Sequence, residues 1–126
     1  MKNEKTISQK VTSYESACKL LKVNPKTLPV VKNLPANIGK SIIAFYKLTI
    51  IAKALNGGWV ADFTNANQYK YYPYFEYKNN IFSYYFWHSS YCNVDVSVHL
   101  LYKDSETAIY AGNQFKKLYN DYLKQK

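Results

Sequence analysis

The stretch Gln68-Tyr69-Lys70-Tyr71-Tyr72-Pro73-Tyr74-Phe75 decides how the rest of the chain is read. Here the pattern has a period of two, that of a strand. Tyr69, Tyr71, Phe75 and Tyr77 are predicted to point one way, and Lys70, Tyr72, Tyr74 and Glu76 the other. Pro73 has no amide proton to give a ladder, so this strand lies at a sheet edge or carries a bulge there. Lys78-Asn79-Asn80 reads as a turn. Residues 81–87 read as a second strand with bulky residues on both faces, and the pattern leaves its register open. Positions 69–91 hold twelve aromatic residues in twenty-three. One hairpin cannot bury so many rings, so part of this surface is expected to face a partner.

Upstream, the period changes to that of helices. Ser13 is suited to cap a short helix whose apolar residues Tyr14, Ala17, Cys18 and Leu21 follow at i, i+3, i+4 and i+7. Asn24-Pro25 stops it, and a connector with Pro25, Pro29 and Pro35 leads to a second helix over 36–55. That helix is apolar on most sides, which predicts a central position packed on more than one flank. Asn56-Gly57-Gly58 ends it, with glycine free to adopt a left-handed cap. Residues 1–12 are polar with scattered β-branched residues, suggesting an arm or an edge strand.

Downstream of the hairpin, 88–93 reads as a turn. Residues 94–102 alternate as a third strand, with Val94, Val96, Val98, Leu100 and Tyr102 inward and Asp95, Ser97, His99 and Lys103 outward. A last amphipathic helix is predicted over 106–124, capped by Asp104 or Ser105, with Ala108, Ala111, Phe115, Leu118 and Tyr122 on its apolar face and a Lys117–Asp121 pair outside. The order describes a small α+β domain: a polar arm over 1–12, then a single domain over 13–126. That domain has two N-terminal helices, a three-stranded antiparallel meander and a C-terminal amphipathic helix.

The net charge of +9 comes from seventeen lysines without a single arginine. Surfaces selected to read phosphates or bases recruit arginine for its planar fork of donors. Abundant Lys, Asn, Tyr, Ile and Phe instead matches the coding bias of an AT-rich genome. Residues 1–56 balance at +8, 57–103 at zero and 104–126 at +1, so the basic and aromatic halves are separate segments. Residues 1–10 lack a charged-then-apolar leader, and 42–55 are too short and too interrupted by Lys47 and Lys53 to span a bilayer. A soluble, intracellular protein without membrane association is expected. Cys18 and Cys92 form no CxxC pair and indicate neither a metal site nor a disulfide framework.

Residue types for catalysis occur but are badly placed. Asp95, Ser97 and His99 resemble a nucleophilic triad, yet residues two apart on one strand sit about 6.5–7 Å apart, too far for proton transfer. A Cys92–His88 pair flanks a turn without an oxyanion element or an orienting acid. Two histidines without motif spacing make no metal site, and the glycines make no phosphate loop. The expectation is a non-enzyme with no cofactor and no metal.

Tyr and Trp give stiff, large contact area with a polar handle and are enriched at protein interfaces. About half of the hairpin rings are needed for the core. The remainder, with Tyr72, Tyr74, Tyr85 and Trp87 as anchors, are expected to bind protein, with self-association as a further use. A competing reading stacks single-stranded nucleic acid on the rings, with Lys40, Lys47, Lys53 and Lys70 sharing the phosphates.

Ala54-Leu55-Asn56, Gly58-Trp59, Asp62, Asn65 and the run from Asn67 through Gln68-Tyr69-Lys70-Tyr71-Tyr72-Pro73-Tyr74-Phe75 resemble a family of small uncharacterised proteins. These are encoded by gut Bacteroidota and by their tailed, crAss-like bacteriophages. The resemblance continues through Phe82-Ser83-Tyr84, Tyr110-Ala111-Gly112, Gln114-Phe115, Leu118-Tyr119 and Asp121, about two thirds of the chain. The Lys-Tyr-Tyr-Pro-aromatic-Phe run is its most specific part. It departs over 94–103, where the family's Arg and Cys are missing. The resemblance implies context rather than chemistry: an auxiliary capsid protein of the virion, made in the host cytoplasm, docking on another virion protein such as the major capsid protein.

Overall fold

The computed structural model describes residues 6–92 and 96–124 of the chain. Thr6 accepts a hydrogen bond from the Gln9 amide and starts a single helical turn, α1 (Ile7–Lys10), where the sequence suggests an arm or an edge strand. Val11, directly after it, is completely buried in the core. Ser13 and Ser16 then cap α2 (Tyr14–Leu21) reciprocally: the Ser13 hydroxyl accepts from the Ser16 amide at 3.1 Å, and the Ser16 hydroxyl accepts from the Ser13 amide at 2.9 Å. This satisfies two helix-end donors that would otherwise be orphaned.

The long helix is α3 (Ala36–Asn56). Its predicted central role is visible in its neighbours, with α2 on one flank and the C-terminal helix α5 (Lys116–Leu123) on another. Leu48, Ile51, Ala52 and Leu55 are sealed inside, whereas Ile38 and Ile42 at the N-terminal end remain exposed. Gly57 closes the helix at φ +56°, the left-handed conformation that only glycine adopts without strain.

The sheet is a single antiparallel hairpin of β1 (Lys70–Lys78) and β2 (Ile81–Ser90). Asn79 and Asn80 both take positive φ, 53° and 64°, the conformation a two-residue hairpin loop demands and asparagine tolerates. Pairing runs from Lys78↔Ile81 to Lys70↔Ser90, so β2 continues through residues 88–90, where a turn was expected. Between Tyr74↔Phe86 and Phe75↔Tyr84 the register slips, leaving Tyr85 as the extra residue of a bulge.

The three-stranded meander does not form. Val98–Leu100 is a 3-10 turn, and the contact with β1 is one isolated bridge: the Tyr71 amide donates to the Tyr102 carbonyl at 3.0 Å and the reverse bond is 2.7 Å. Residues 93–95 of the expected strand lie outside the described residues. Two physical causes are visible. Tyr71 turns its backbone groups outward to Tyr102, so the next outward position on that edge is Pro73, which has no N–H to continue a ladder. Meanwhile the Ser97 hydroxyl accepts from the His99 amide at 3.2 Å, which gives the local backbone an alternative to a strand.

The single C-terminal helix expected over 106–124 is two helices, α4 (Ser105–Gln114) and α5. Asp104 caps α4, accepting from the Thr107 amide at 2.7 Å. The break falls at Phe115, whose ring is drawn into the core edge-on to Tyr110. Gly112 lets α4 lie against the hairpin, since a Cβ there would come within 2.6 Å of the Tyr84 ring and 2.9 Å of Pro73. The Lys117–Asp121 pair forms at 3.0 Å, and Asp121 also faces Lys40 at 3.5 Å. Among the described residues, no helix is long and apolar enough to cross a membrane.

Candidate functional site

Alternation along β1 sends Lys70, Tyr72, Tyr74 and Glu76 to one side, but the rest of the molecule covers only the beginning of that side. Lys70 is completely buried, Tyr72 is 7 % exposed, and Tyr74 is 48 % exposed. Tyr72 lies against a cleft of about 260 Å³ that Leu100, Tyr119 and Tyr122 also line. It therefore does not share the outer surface with Tyr74. On the opposite side Tyr71 and Phe75 pack against the core as expected, whereas Tyr69 and Tyr77, at the two ends, are exposed.

Across the hairpin, Tyr74 meets three β2 residues. Its ring stacks on His88 at 4.3 Å between centroids and 16° between planes, and the Tyr85 ring lies at 6.5 Å. Phe86 is its direct strand partner. Tyr85 and Phe86 are 61 % and 54 % exposed, because the bulge turns two successive large rings to solvent where a regular strand would expose every second one. Trp87 is instead half-buried, edge-on to Tyr71 at 5.3 Å, and packs on the core. Of the four anchors read from sequence, Tyr74 and Tyr85 stand exposed on the outer face; Tyr72 shares Tyr74's side of β1 and lies 5.8 Å from the His88 ring but is covered, and Trp87 turns to the core. Phe86 and His88 join that face unforeseen, since an alternating pattern cannot locate a bulge in the consecutive aromatic run Tyr84-Tyr85-Phe86-Trp87.

The four lysines suggested for nucleic acid do not converge. The Lys70 ammonium donates to the carbonyls of Asp62, Gln68 and Asn65 at 2.6, 2.8 and 3.2 Å and to that of Tyr91, and it sits 5.1 Å from the Phe63 ring centre. It is a structural cation, closed to any ligand. Lys40 pairs with Asp121, Lys47 lies 5.0 Å over the Tyr14 ring, and Lys53 is exposed on α3.

Under the hairpin, the hydroxyls of Tyr102 and Tyr119 meet at 3.0 Å in full burial. Burial pushes the Tyr102 hydroxyl up to about 12 and raises that of Tyr119 well above its ordinary value, so both stay neutral at physiological pH. Ser97, from the triad-like trio, spends its hydroxyl on the 3-10 turn, and Asp95 lies outside the described residues. Cys18 is buried and Cys92 exposed, both as free thiols. Among the described residues, no three His, Cys, Asp or Glu side chains gather as metal ligands.

No protein-family model, curated protein or solved structure matches this chain.

Proposed function

We propose that this protein is a non-enzymatic bacteriophage virion component, an auxiliary head protein that docks on another virion protein through the outer face of its aromatic hairpin. The observation that carries the reading is the group Tyr74, Tyr85 and Phe86, three large rings exposed side by side with His88 stacked among them. Rings of this kind bury large area with little entropy loss and form the energetic centre of interfaces. Neighbouring charge is sparse: Glu76 pairs with Lys78 at 3.5 Å, and residues 81–92 carry no Lys, Asp or Glu. Such a neutral strip on a chain of charge +9 suits a partner recognised by shape and apolar area rather than by charge. The phage setting rests on the resemblance of the Lys-Tyr-Tyr-Pro-aromatic-Phe run, and the major capsid protein is the partner it points to. Mass spectrometry of purified particles tests the reading. The protein is expected in stoichiometric amount with the capsid, and its absence from virions overturns the proposal.

A further inference from the structure

Two buried polar side chains, Lys70 and Asn56, are unexplained by docking through the hairpin. Burying such groups is costly unless their bonds organise something. Asn56, at the end of α3, donates to the Leu101 carbonyl at 2.9 Å and accepts from the Lys103 amide at 3.1 Å, and its own carbonyl accepts from the Trp59 amide at 3.0 Å. It thereby holds Trp59 and Lys103 beside each other. Lys70 gathers the loop carbonyls of Asp62, Asn65 and Gln68 and so holds the segment that carries Asn67 and Tyr69. The Gln68 amide fastens the same loop, accepting from Asp62 at 2.6 Å and donating to Val60 at 3.0 Å. Between the two walls lies an open cleft of about 450 Å³ lined by Trp59, Asn67, Gln68, Tyr69, Tyr71 and Lys103.

The side chains that reach this cleft have complementary chemistries. Trp59, Tyr69 and Tyr71 supply rings; the Asn67 backbone amide donates to the Asn65 side chain at 2.9 Å, while among the described residues neither the Trp59 indole N–H nor the Asn67 side-chain amide has a partner. No described carboxylate lies within ion-pair distance of the Lys103 ammonium. The acids nearest in sequence to the two walls, Asp62 and Asp104, turn an oxygen to Thr64 and Thr107. Ring faces, an amide able to read a base edge and an uncommitted cation match one ligand class. We propose that this cleft is a nucleotide site, taking a nucleobase on its rings and the attached phosphate on Lys103. Its volume falls within the range of small-molecule sites. The residues that line it differ from those of the docking face, and its cation, Lys103, is none of the lysines that sequence reading suggested.

Titration of the full chain with adenosine monophosphate, followed by amide and indole NMR shifts, tests this. Shifts are expected at the Trp59 indole and at Asn67, Tyr69 and Lys103, with Tyr85 and Phe86 unmoved. Trp59→Ala should weaken binding roughly ten-fold or more. Lys103→Gln should reduce the affinity to that of adenosine and lower the salt dependence by about one phosphate contact. Inorganic phosphate alone should shift nothing at the same concentration. A short single-stranded oligonucleotide that binds far more tightly than the monophosphate assigns the site to a strand, and equal affinity assigns it to a free nucleotide. No shift at millimolar nucleotide, shifts elsewhere, or full affinity in Lys103→Gln overturns the proposal. Because Lys103 is partly exposed, its variant tests the site even if Trp59→Ala fails to fold.

Discussion

The side chain of Asn120 closes on the backbone of Phe82 like a one-residue strand. Its Oδ1 accepts from the Phe82 amide at 2.7 Å and its Nδ2 donates to the Phe82 carbonyl at 2.8 Å. Lys78↔Ile81 closes the two-residue loop, so the groups of Phe82 face away from β1, and α5 thus satisfies an edge that no third strand covers. Asn120→Ala is expected to destabilise by about 2 kcal/mol, since it strands both backbone groups in a partly buried place. Urea unfolding should show a lower midpoint with an unchanged slope.

Lys70→Met should destabilise more, by roughly 3 kcal/mol, because the carbonyls gathered around the ammonium lose their common donor. Hydrogen exchange should rise first over residues 62–69, before global unfolding. Lys70→Arg should not rescue, as a planar fork cannot replace a compact point charge in this carbonyl cage.

Gly112→Ala introduces a methyl 2.6 Å from the Tyr84 ring and 2.9 Å from Pro73. The expected loss is about 1–3 kcal/mol, from helix and hairpin being forced apart. Adding Tyr84→Leu should recover part of it in a double-mutant cycle, whereas additive effects would place the strain elsewhere.

The Tyr102–Tyr119 pair predicts alkaline sensitivity. Both hydroxyls titrate higher in the folded protein than the ordinary value of 10.0, Tyr102 at about 12. The unfolded chain therefore releases these protons first as pH rises. The contribution of Tyr102 is complete below pH 10 and declines between pH 10 and about 12, and that of Tyr119 declines in the same direction above pH 10. Denaturation midpoints should fall over that window, and less steeply in Tyr119→Phe.

Tyr74→Ala with Tyr85→Ala should lower the stability by no more than about 1 kcal/mol, because the two residues are 48 % and 61 % exposed and neither ring packs on the core. The same pair should abolish co-sedimentation with capsid shells. Retained binding would remove the hairpin face from the docking interface.

Local chemistry made much of this legible. Ser13 as a cap, Gly57 as a left-handed stop, Asn79-Asn80 as the hairpin loop and the Lys117–Asp121 pair depend on neighbours within a few residues, and each stands where the sequence places it. The alternation of β1 holds as strand geometry, but the side read as outward is the more deeply buried one at Lys70 and Tyr72.

Tertiary contacts decided the remainder. Val96, Val98, Leu100 and Tyr102 alternate like a strand, but a strand needs an edge with donors, and Pro73 removes one from the edge available. The register of β2 depended on a bulge that an uninterrupted aromatic run conceals, so Phe86 rather than Trp87 came to the surface. Lys70 looked like a surface charge because nothing in its own strand shows that three carbonyls of the preceding loop and that of Tyr91 converge on it. The sequence by itself determined the α+β class, the core helix and the aromatic hairpin, since periodicity and caps act over one or two turns. Which rings face outward and which lysine is buried were decided only by the tertiary structure, because burial is set by what folds over a residue from elsewhere in the chain.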